Sequence, residues 1–470
     1  TKQCLIIAKH LDFCDEVGRK NIHIILKHMV MVFQQPENHI TEIVEALRIV
    51  VPSEPEFRAT IRECVEPLQA LAVELEASTA AEEEERKLQK SEIEANIKKC
   101  KSKLQRLEKD KKRLEVELEE LDEDEDESET MDEIQEDLQK VIDRIEELKE
   151  AIEELKEDLS SADTLKKDAM VWIRTLCVLK EVNKVISPQC VQKLLEESSI
   201  LKSIVVPCLT KKSPHVRCFA MTVLGQYCGM HLPFAQKYVN LFTNSLNDRK
   251  EDPMIHRAAL AASFDMVQIH SFGSIYERCE MDEKETCISE LVATFKELMF
   301  ESVHADIAIT AIEGCCKLII FNKLQEHHVL EILSNMIIVL FNPDTEMFVQ
   351  VKQCLSMFLP AFSFSTLKNM NRVAKIVLPT LLRISQMSNI NLQQAGQFLI
   401  YLTDRTHLKK APKDLSFVQP HCQVAIQLAY EVLVNNGSKE SNTFCKLFSN
   451  FAEFDDETSA KQLYAVLKLA

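Results

Sequence analysis

A recurring short polar turn followed by a dense apolar helix constrains the fold of this 470-residue chain more than any other feature. Its four copies align on Val216, Ile255, Ile307 and Val349, at spacings of 39, 52 and 42 residues. HEAT-type helical pairs repeat every 40–47 residues or so, and an insertion around residues 276–286 lengthens the middle interval. Because one helical pair cannot bury its own apolar face, the repeat predicts a stacked HEAT-repeat solenoid over residues 163–470.

The shortage of glycine favours the same fold class. The chain has 7 glycines, whereas tight strand turns, dinucleotide-binding crevices and phosphate loops all require this residue. The motifs G-x-S-x-G, H-E-x-x-H and G-x-x-x-x-G-K-[ST] of common hydrolases, zinc proteases and nucleotide-binding loops do not occur in the sequence. We therefore predict an all-α protein that is not an enzyme and has no cofactor and no small-molecule substrate.

Residues 1–77 form the first predicted domain, a helical-repeat segment. Apolar residues recur there at helical spacing, and Pro36, Pro52 and Pro55 mark breaks between helices. Short connections of this kind are typical of neighbouring helices packed antiparallel.

Residues 78–162 carry two heptad seams of similar length. One seam runs through residues 93–121 and the other through residues 134–159, with apolar residues at alternating spacings of three and four. The acidic run 122–130 between them cannot pack, since its like charges repel. The pattern predicts an antiparallel coiled-coil hairpin, about 40 Å long at 1.5 Å per residue, that projects from the body and has an acidic tip. A parallel homodimer through the second seam is the alternative.

The net charge of −18 is concentrated in this predicted hairpin. Residues 81–160 hold 31 acidic and 16 basic side chains, while the rest of the chain holds 43 and 40. The bulk of the protein is therefore almost neutral, and its composition does not exclude binding to a polyanion.

Basic side chains cluster at the turns before the first two repeat helices. Equivalent turns of a solenoid line up along one edge, so these charges could follow a phosphate backbone. No aromatic or base-reading pattern accompanies them, and an ordinary solvated surface explains them equally well. The candidate DNA-facing residues are Lys211, Lys212, Arg217, Arg249 and Lys250. Weaker members of the same set are Lys202, His215, Lys409, Lys410 and Lys413.

The sequence predicts neither disulfides nor a metal site. Its 16 cysteines are scattered without a C-x-x-C motif, which is typical of reduced, buried thiols in an intracellular protein. Cys315 and Cys316 lie in an apolar repeat helix, where core packing is the expected role. His327 and His328 are adjacent, so on a helix they point about 100° apart and make a poor ligand pair.

No apolar run reaches the ~20 residues needed to span a bilayer, so we expect no membrane segment. The sequence begins with Thr1 in place of Met, and we expect it to be a fragment.

Four segments follow one another in the C-terminal part: SPHVRCFAMTVLG (213–225), PFAQKY (233–238), AALAASFDMVQIHSFG (258–273) and FNPDTEMFVQVKQCLSMFLP (341–360). Taken in this order, they resemble the condensin G-subunit (CAP-G) family. ITAIEGCCKLIIF (309–321) and LPTLL (378–382) are similar to that family as well. The position of the charged hairpin within a helical solenoid also fits the family.

This resemblance implies a non-enzymatic, non-SMC regulatory subunit of the condensin complex. In that family the solenoid binds a kleisin subunit of the CAP-H/Barren type, and the two together hold double-stranded DNA in a positively charged groove. The SMC subunits carry the ATPase, and the complex condenses mitotic chromosomes. The resemblance further implies location in the nucleus, on mitotic chromosomes and in the cytoplasm. It also implies that chains of this family continue on the N-terminal side of the position of Thr1. The residues alone leave open a generic helical-repeat adaptor that does not bind nucleic acid.

Overall fold

A computed structural model describes most of the chain, and its regular secondary structure is entirely helical within the described residues. The prediction of an all-α fold is confirmed. The described residues are 2–8, 15–32, 37–121, 138–151, 167–197, 200–301, 303–387, 389–408, 420–435, 439–451 and 457–468. The chain divides into two compact units, residues 1–178 and 179–470.

The first unit combines short helices with one long helix. Its helices are α1 (Lys2–Ala8), α2 (Glu16–Met31), α3 (Ile40–Val50), α4 (Glu54–Leu121), α5 (138–151) and α6 (Lys167–Val185), the last of which contains the division between the units. α3 buries one apolar face that includes Ile43 and Leu47, and it packs against α1 and α2. α3 ends just before Pro52, where the sequence predicts a break, and the helical-repeat segment 1–77 itself stays a prediction.

A buried arginine fixes the end of α2. Arg174 of α6 is 1% exposed, and its Nε donates to the carbonyl oxygen of Val30 at 2.9 Å. Its Nη2 donates to the carbonyl of Met29. Burial lowers the pKa of Arg174 to about 10, which leaves the guanidinium charged at neutral pH. The side chain therefore satisfies carbonyl groups that the end of a helix leaves without intrahelical partners.

The predicted hairpin is described in part. α4 continues through Pro67 as one helix of 68 residues, about 100 Å at 1.5 Å per residue. The last helix of the predicted 1–77 segment and the first predicted arm are thus continuous. Part of the second arm is helical over 138–151, and Ile145 in its seam is buried. The acidic tip lies outside the described residues, and the hairpin and the three domain boundaries stay predictions.

The second unit is a series of helices joined by short turns. They are α7 (Pro188–Glu197), α8 (Val206–Cys208, after a π-helical turn at Leu201–Val205), α9 (Pro214–Met230), α10 (Leu232–Asn247), α11 (Pro253–His270), α12 (Phe272–Ile275), α13 (Met281–Leu298), α14 (Ala305–Ile320), α15 (Glu326–Phe341), α16 (Val349–Ser363), α17 (Leu367–Ser385), α18 (Leu392–Leu402), α19 (Pro420–Val434), α20 (Lys439–Leu447) and α21 (Glu457–Leu467). The long middle interval of the repeat contains α12 and the segment before α13.

One layer of this unit consists of α9, α11, α14, α16 and α18, each packed beside the next. One contact joins the start of α9 to the start of α11, and another joins the end of α9 to the end of α11. Arg217 at the start of α9 pairs with Glu251 just before α11, and His270 at the end of α11 bonds the carbonyl of Cys228 near the end of α9 at 2.8 Å. The two helices are therefore parallel neighbours, as successive units of a solenoid must be.

A second layer stacks in the same way through α15, α17 and α19. The start of α15 meets the start of α17 where Arg372 bonds Glu326, and their middles meet where Thr380 donates to Ser334. Both contacts join residues 46 positions apart. A constant offset along two helices means that they run parallel, and it matches the period that the sequence repeat predicts.

A glycine allows α14 to pack closely against α11. A Cβ added to Gly314 of α14 would lie 2.2 Å from Cδ2 of Phe264 on α11. Phe264 is 4% exposed and stacks on Phe295 with ring centroids 4.1 Å apart, so its ring has no free space to move into. Gly314 thus sets the distance between α11 and α14.

We expect Gly314→Ala to destabilise the protein by roughly 1–3 kcal/mol, because the added methyl group overpacks the core against Phe264. Gly273→Ala is the matched control, since Gly273 is exposed and its added Cβ meets only the Nζ of Lys284 at 3.9 Å. Urea denaturation of both variants measures the difference. Equal midpoints for the two variants would contradict the packing described for Gly314.

Candidate functional site

Four of the five predicted DNA-facing residues lie in two turns at one edge of the second unit, and the fifth, Arg217, lies near the start of α9. Lys211 and Lys212 lie in the turn 209–213 before α9, and Arg249 and Lys250 lie in the turn 248–252 before α11. Because α9 and α11 are parallel neighbours, the turns that precede them lie beside each other. The fold therefore brings these four residues to a common edge, which we call the turn edge.

The members of the turn edge differ in exposure. The side chains of Lys212, Arg249 and Lys250 are exposed, and Lys211 is half-buried. The backbone N–H of Lys250 donates to Oδ1 of Asp248 at 3.0 Å, which fixes this turn locally. Exposed cations on an ordered turn are suited to phosphate oxygens, which are read without regard to base sequence.

Arg217 has a different environment from the other four candidates. Its Nη2 lies 3.2 Å from Oε1 of Glu251, and the two side chains are only 28% and 18% exposed. The same Glu251 oxygen accepts the backbone N–H of Asp252 at 3.1 Å. Arg217 therefore ties the start of α9 to the turn before α11, and its charge is balanced by a carboxylate.

The turn before α11 also contains acidic residues. The sequence prediction of a DNA-facing surface counted only the basic residues of this turn. Asp248 on one side and Glu251 and Asp252 on the other flank Arg249 and Lys250 in the sequence DRKED. Asp252 is the N-cap of α11, where its side chain accepts the N–H of Met254. These acids have structural partners, but they lower the positive potential of this turn. The signal was visible in the sequence, because each of the three acids lies within two positions of at least one of the two bases.

The weaker basic candidates are only partly placed. Lys202 and His215 are exposed near the first turn. Lys409, Lys410 and Lys413 lie outside the described residues.

The cysteine and histidine pairs lie in different environments. Cys315 and Cys316 are both buried in α14, and burial raises the pKa of the Cys315 thiol well above its ordinary value. His328 is 5% exposed and burial lowers its pKa, whereas His327 is exposed. Over the described ranges, no group of three or more His, Cys, Asp or Glu side chains is placed to hold a metal ion.

Comparison with known proteins identifies the family. The family described as "Nuclear condensing complex subunits, C-term domain" (Cnd3) matches residues 173–452, which is more than half of the chain. The chain belongs to the Cnd3 family. The resemblance to a condensin subunit is thereby confirmed, and the matched region contains most of the second unit and the whole turn edge.

Two curated relatives are similar along nearly the whole chain. Human "Condensin complex subunit 3" is 23% identical over 481 residues, covering 96% of this chain and 45% of the human protein. The Xenopus laevis protein of the same name is 23% identical over 490 residues, covering 95% of this chain and 45% of that protein. This Cnd3-family chain thus spans a little under half the length of these relatives.

A solved structure confirms the fold. The crystal structure of the S. pombe condensin Cnd3-Cnd2 subcomplex matches with a TM-score of 0.63 at 16% identity, covering 100% of this chain and 52% of that chain. At this identity the likeness concerns the fold, which is the predicted helical solenoid. Within the described part of the chain, every helix is too short or too polar to span a lipid bilayer.

We expect Arg217→Ala to lower the free energy of unfolding by about 1 kcal/mol, because it leaves Glu251 half-buried without its cation. Arg249→Ala is the matched control, since it removes an exposed arginine from the neighbouring turn and leaves that pair intact. Thermal unfolding followed by circular dichroism measures both variants. An Arg217→Ala melting temperature equal to that of the control would show that the pair does not join the two turns in solution.

Proposed function

We propose that this chain is a non-SMC, non-enzymatic subunit of a condensin complex. In this role it binds a kleisin subunit of the CAP-H/Barren type and contributes to sequence-independent binding of double-stranded DNA during mitotic chromosome condensation. It acts in the nucleus and on chromosomes, with a cytoplasmic pool. The observation that carries the proposal is the match of residues 173–452 to the Cnd3 family.

The kleisin part of the proposal is supported by the structural neighbour. The S. pombe Cnd3 chain, which shares this fold, was determined as a subcomplex with Cnd2. A stack of parallel helices offers an extended surface to a long, linear partner segment. Apolar contacts along such a surface are salt-tolerant, unlike contacts to phosphates.

The DNA part is supported by the turn edge. Lys211, Lys212, Arg249 and Lys250 lie in adjacent turns, and three of the four side chains are exposed. Cations that neutralise phosphates release counterions, which gives affinity without base specificity. Arg217 is not counted in this surface, because it is partly buried beside Glu251 within the structure.

The role proposed for this chain is binding without chemistry. ATP hydrolysis in the complex is assigned to the SMC subunits, which this chain reaches through the assembled complex. Its sequence contains no phosphate-loop motif of the Walker type.

Co-purification with fragments of a condensin kleisin tests the partner. We expect a stoichiometric complex that survives size-exclusion chromatography in high salt, because the kleisin contacts are largely apolar. If no kleisin fragment binds either this chain or an N-terminally extended version of it, the proposed partner is wrong. A generic helical-repeat adaptor would then be the better description, provided that DNA is not retained at low salt.

Charge reversal of the turn edge tests the DNA surface. We expect the combined change Lys211→Glu, Lys212→Glu, Arg249→Glu and Lys250→Glu to weaken binding equally for duplexes of different sequence. The steepness of log K against log salt should fall by about 0.9 for each phosphate that the variant no longer neutralises. Fluorescence anisotropy over a salt series measures both quantities.

Two controls make this result specific. Lys193→Glu on α7 reverses an exposed lysine outside the turn edge and should leave DNA affinity nearly unchanged. Kleisin binding by the quadruple variant should persist, which shows that the variant is folded. Unchanged affinity and salt dependence in the quadruple variant would remove the turn edge from the DNA-binding surface.

A further inference from the structure

A continuous groove runs along the face of the second unit where α14 and α16 pack side by side. It consists of two cavities of about 670 Å³ and about 420 Å³ that share Phe358 and Ala361 as lining residues. The larger cavity lies between α14 and α16, and the smaller one continues to the first turn of α17. We call this feature the α14–α16 groove. None of the basic residues of the turn edge lines it.

The floor of the α14–α16 groove is apolar and open to solvent. Met357 is 68% exposed and Ile320 is 57% exposed, although both line the cavities. Phe358 lies between them in the lining and is half-buried. A single exposed apolar residue needs no explanation, but an apolar concavity with a polar rim is typical of a surface that a partner covers.

The two ends of the groove carry opposite charges. Glu313 of α14 is exposed and lines the larger cavity. Lys368 and Arg372 of α17 line the smaller one. Both lie near the N-terminus of this 19-residue helix, where the helix dipole adds partial positive charge. Lys368 is exposed. The groove therefore has an acidic end, an apolar floor and a basic end.

The basic end is rigid. Arg372 is 7% exposed overall, and its Nε and Nη2 donate to the same oxygen of Glu326 at 2.9 and 2.7 Å. Its Nη1 donates to Oδ1 of Asn369 at 3.2 Å. This bonding lowers the pKa of Glu326, with Arg372 as the largest cause. Arg372 is thus fixed in position, and the exposed Lys368 is the cation that can meet an incoming carboxylate.

The dimensions of the groove suit a short extended peptide. The distance along α14 from Ile309 to Ile320 is about 16 Å at 1.5 Å per residue, which an extended chain covers in about five residues. Gln350 and Gln353 on α16 are exposed and line the larger cavity. Their side-chain amides can donate to and accept from the backbone of such a peptide.

We propose that the α14–α16 groove binds a linear segment of a partner protein that carries large apolar residues followed by acidic ones. The apolar side chains cover Met357, Phe358 and Ile320, and the carboxylates lie at Lys368 and the start of α17. Charge complementarity favours this occupant and its orientation, because Lys368 and the start of α17 attract carboxylates, whereas Glu313 repels them at the other end. The inference goes beyond the proposed function, since the groove and the turn edge share no residue.

Selection from a phage-displayed library of random short peptides, against the whole chain, tests the groove. We expect selected peptides to combine large apolar residues with a neighbouring cluster of Asp or Glu. Binding of the selected peptides, labelled with fluorescein, is then measured by fluorescence anisotropy. Met357→Glu should weaken binding by about tenfold or more, as expected when a central apolar residue is replaced by a charged one.

Two matched changes separate the groove from general effects of charge. Met347→Glu places the same charge on a methionine that is 75% exposed and does not line the groove, and it should leave affinity unchanged. Lys368→Glu should weaken the binding of acidic peptides about tenfold. It should strengthen the binding of otherwise identical peptides in which Lys replaces each Asp or Glu.

Three results would overturn the proposal. The first is a selection without enrichment of acidic and apolar residues together. The second is equal affinity of the selected peptides for the wild type and for Met357→Glu. The third is displacement of the peptides by a kleisin fragment, because the groove would then belong to the kleisin surface. If the peptide-binding prediction is contradicted but kleisin and DNA bind as expected, the proposed function is unaffected.

Discussion

Sideways stacking of parallel helices is the constraint on which the second unit depends. Each helix of the first layer is apolar on more than one side, so it becomes buried only when a neighbour lies on each flank. The neighbours meet at a nearly constant offset in sequence, as Arg372 with Glu326 and Thr380 with Ser334 show at 46 positions. The spacing between helices is then set by individual side chains, of which Gly314 against Phe264 is the tightest example.

Ion pairs between successive helices follow the same geometry. Arg217 meets Glu251, Arg257 meets Asp306 at 3.3 Å, and Lys296 meets Glu331. The first pair joins α9 to the turn before α11, the second joins α11 to α14, and the third joins α13 to α15. Pairs that are largely exposed contribute little to stability, typically up to about 1 kcal/mol. They follow from the register that the packed helices already have, and the same register aligns the turns along one edge.

This alignment gives the second unit two surfaces of different chemistry. At the turn edge, adjacent turns carry Lys211, Lys212, Arg249 and Lys250, and this is the surface that we propose for DNA. In the α14–α16 groove, an apolar floor lies between Glu313 and Lys368, which suits a peptide of a particular composition. A solenoid can carry both surfaces because its core occupies only the contacts between helices, and the outer faces are free to differ.

Local patterns in the sequence were enough to predict the all-α class, most of the repeat helices and the resemblance to condensin subunits. Helical periodicity is local, and Val216, Ile255 and Ile307 mark buried faces whatever their partners are, whereas Val349, which the repeat aligns with them, is 70% exposed as the first residue of α16. The pairing of Arg217 with Glu251, the continuity of α4 through Pro67, and the joining of two cavities by Phe358 and Ala361 became visible only in the folded structure. Such contacts depend on which residues the stacking brings together from distant parts of the chain. The apolar period of the sequence does not specify how the side chains of neighbouring helices fit together.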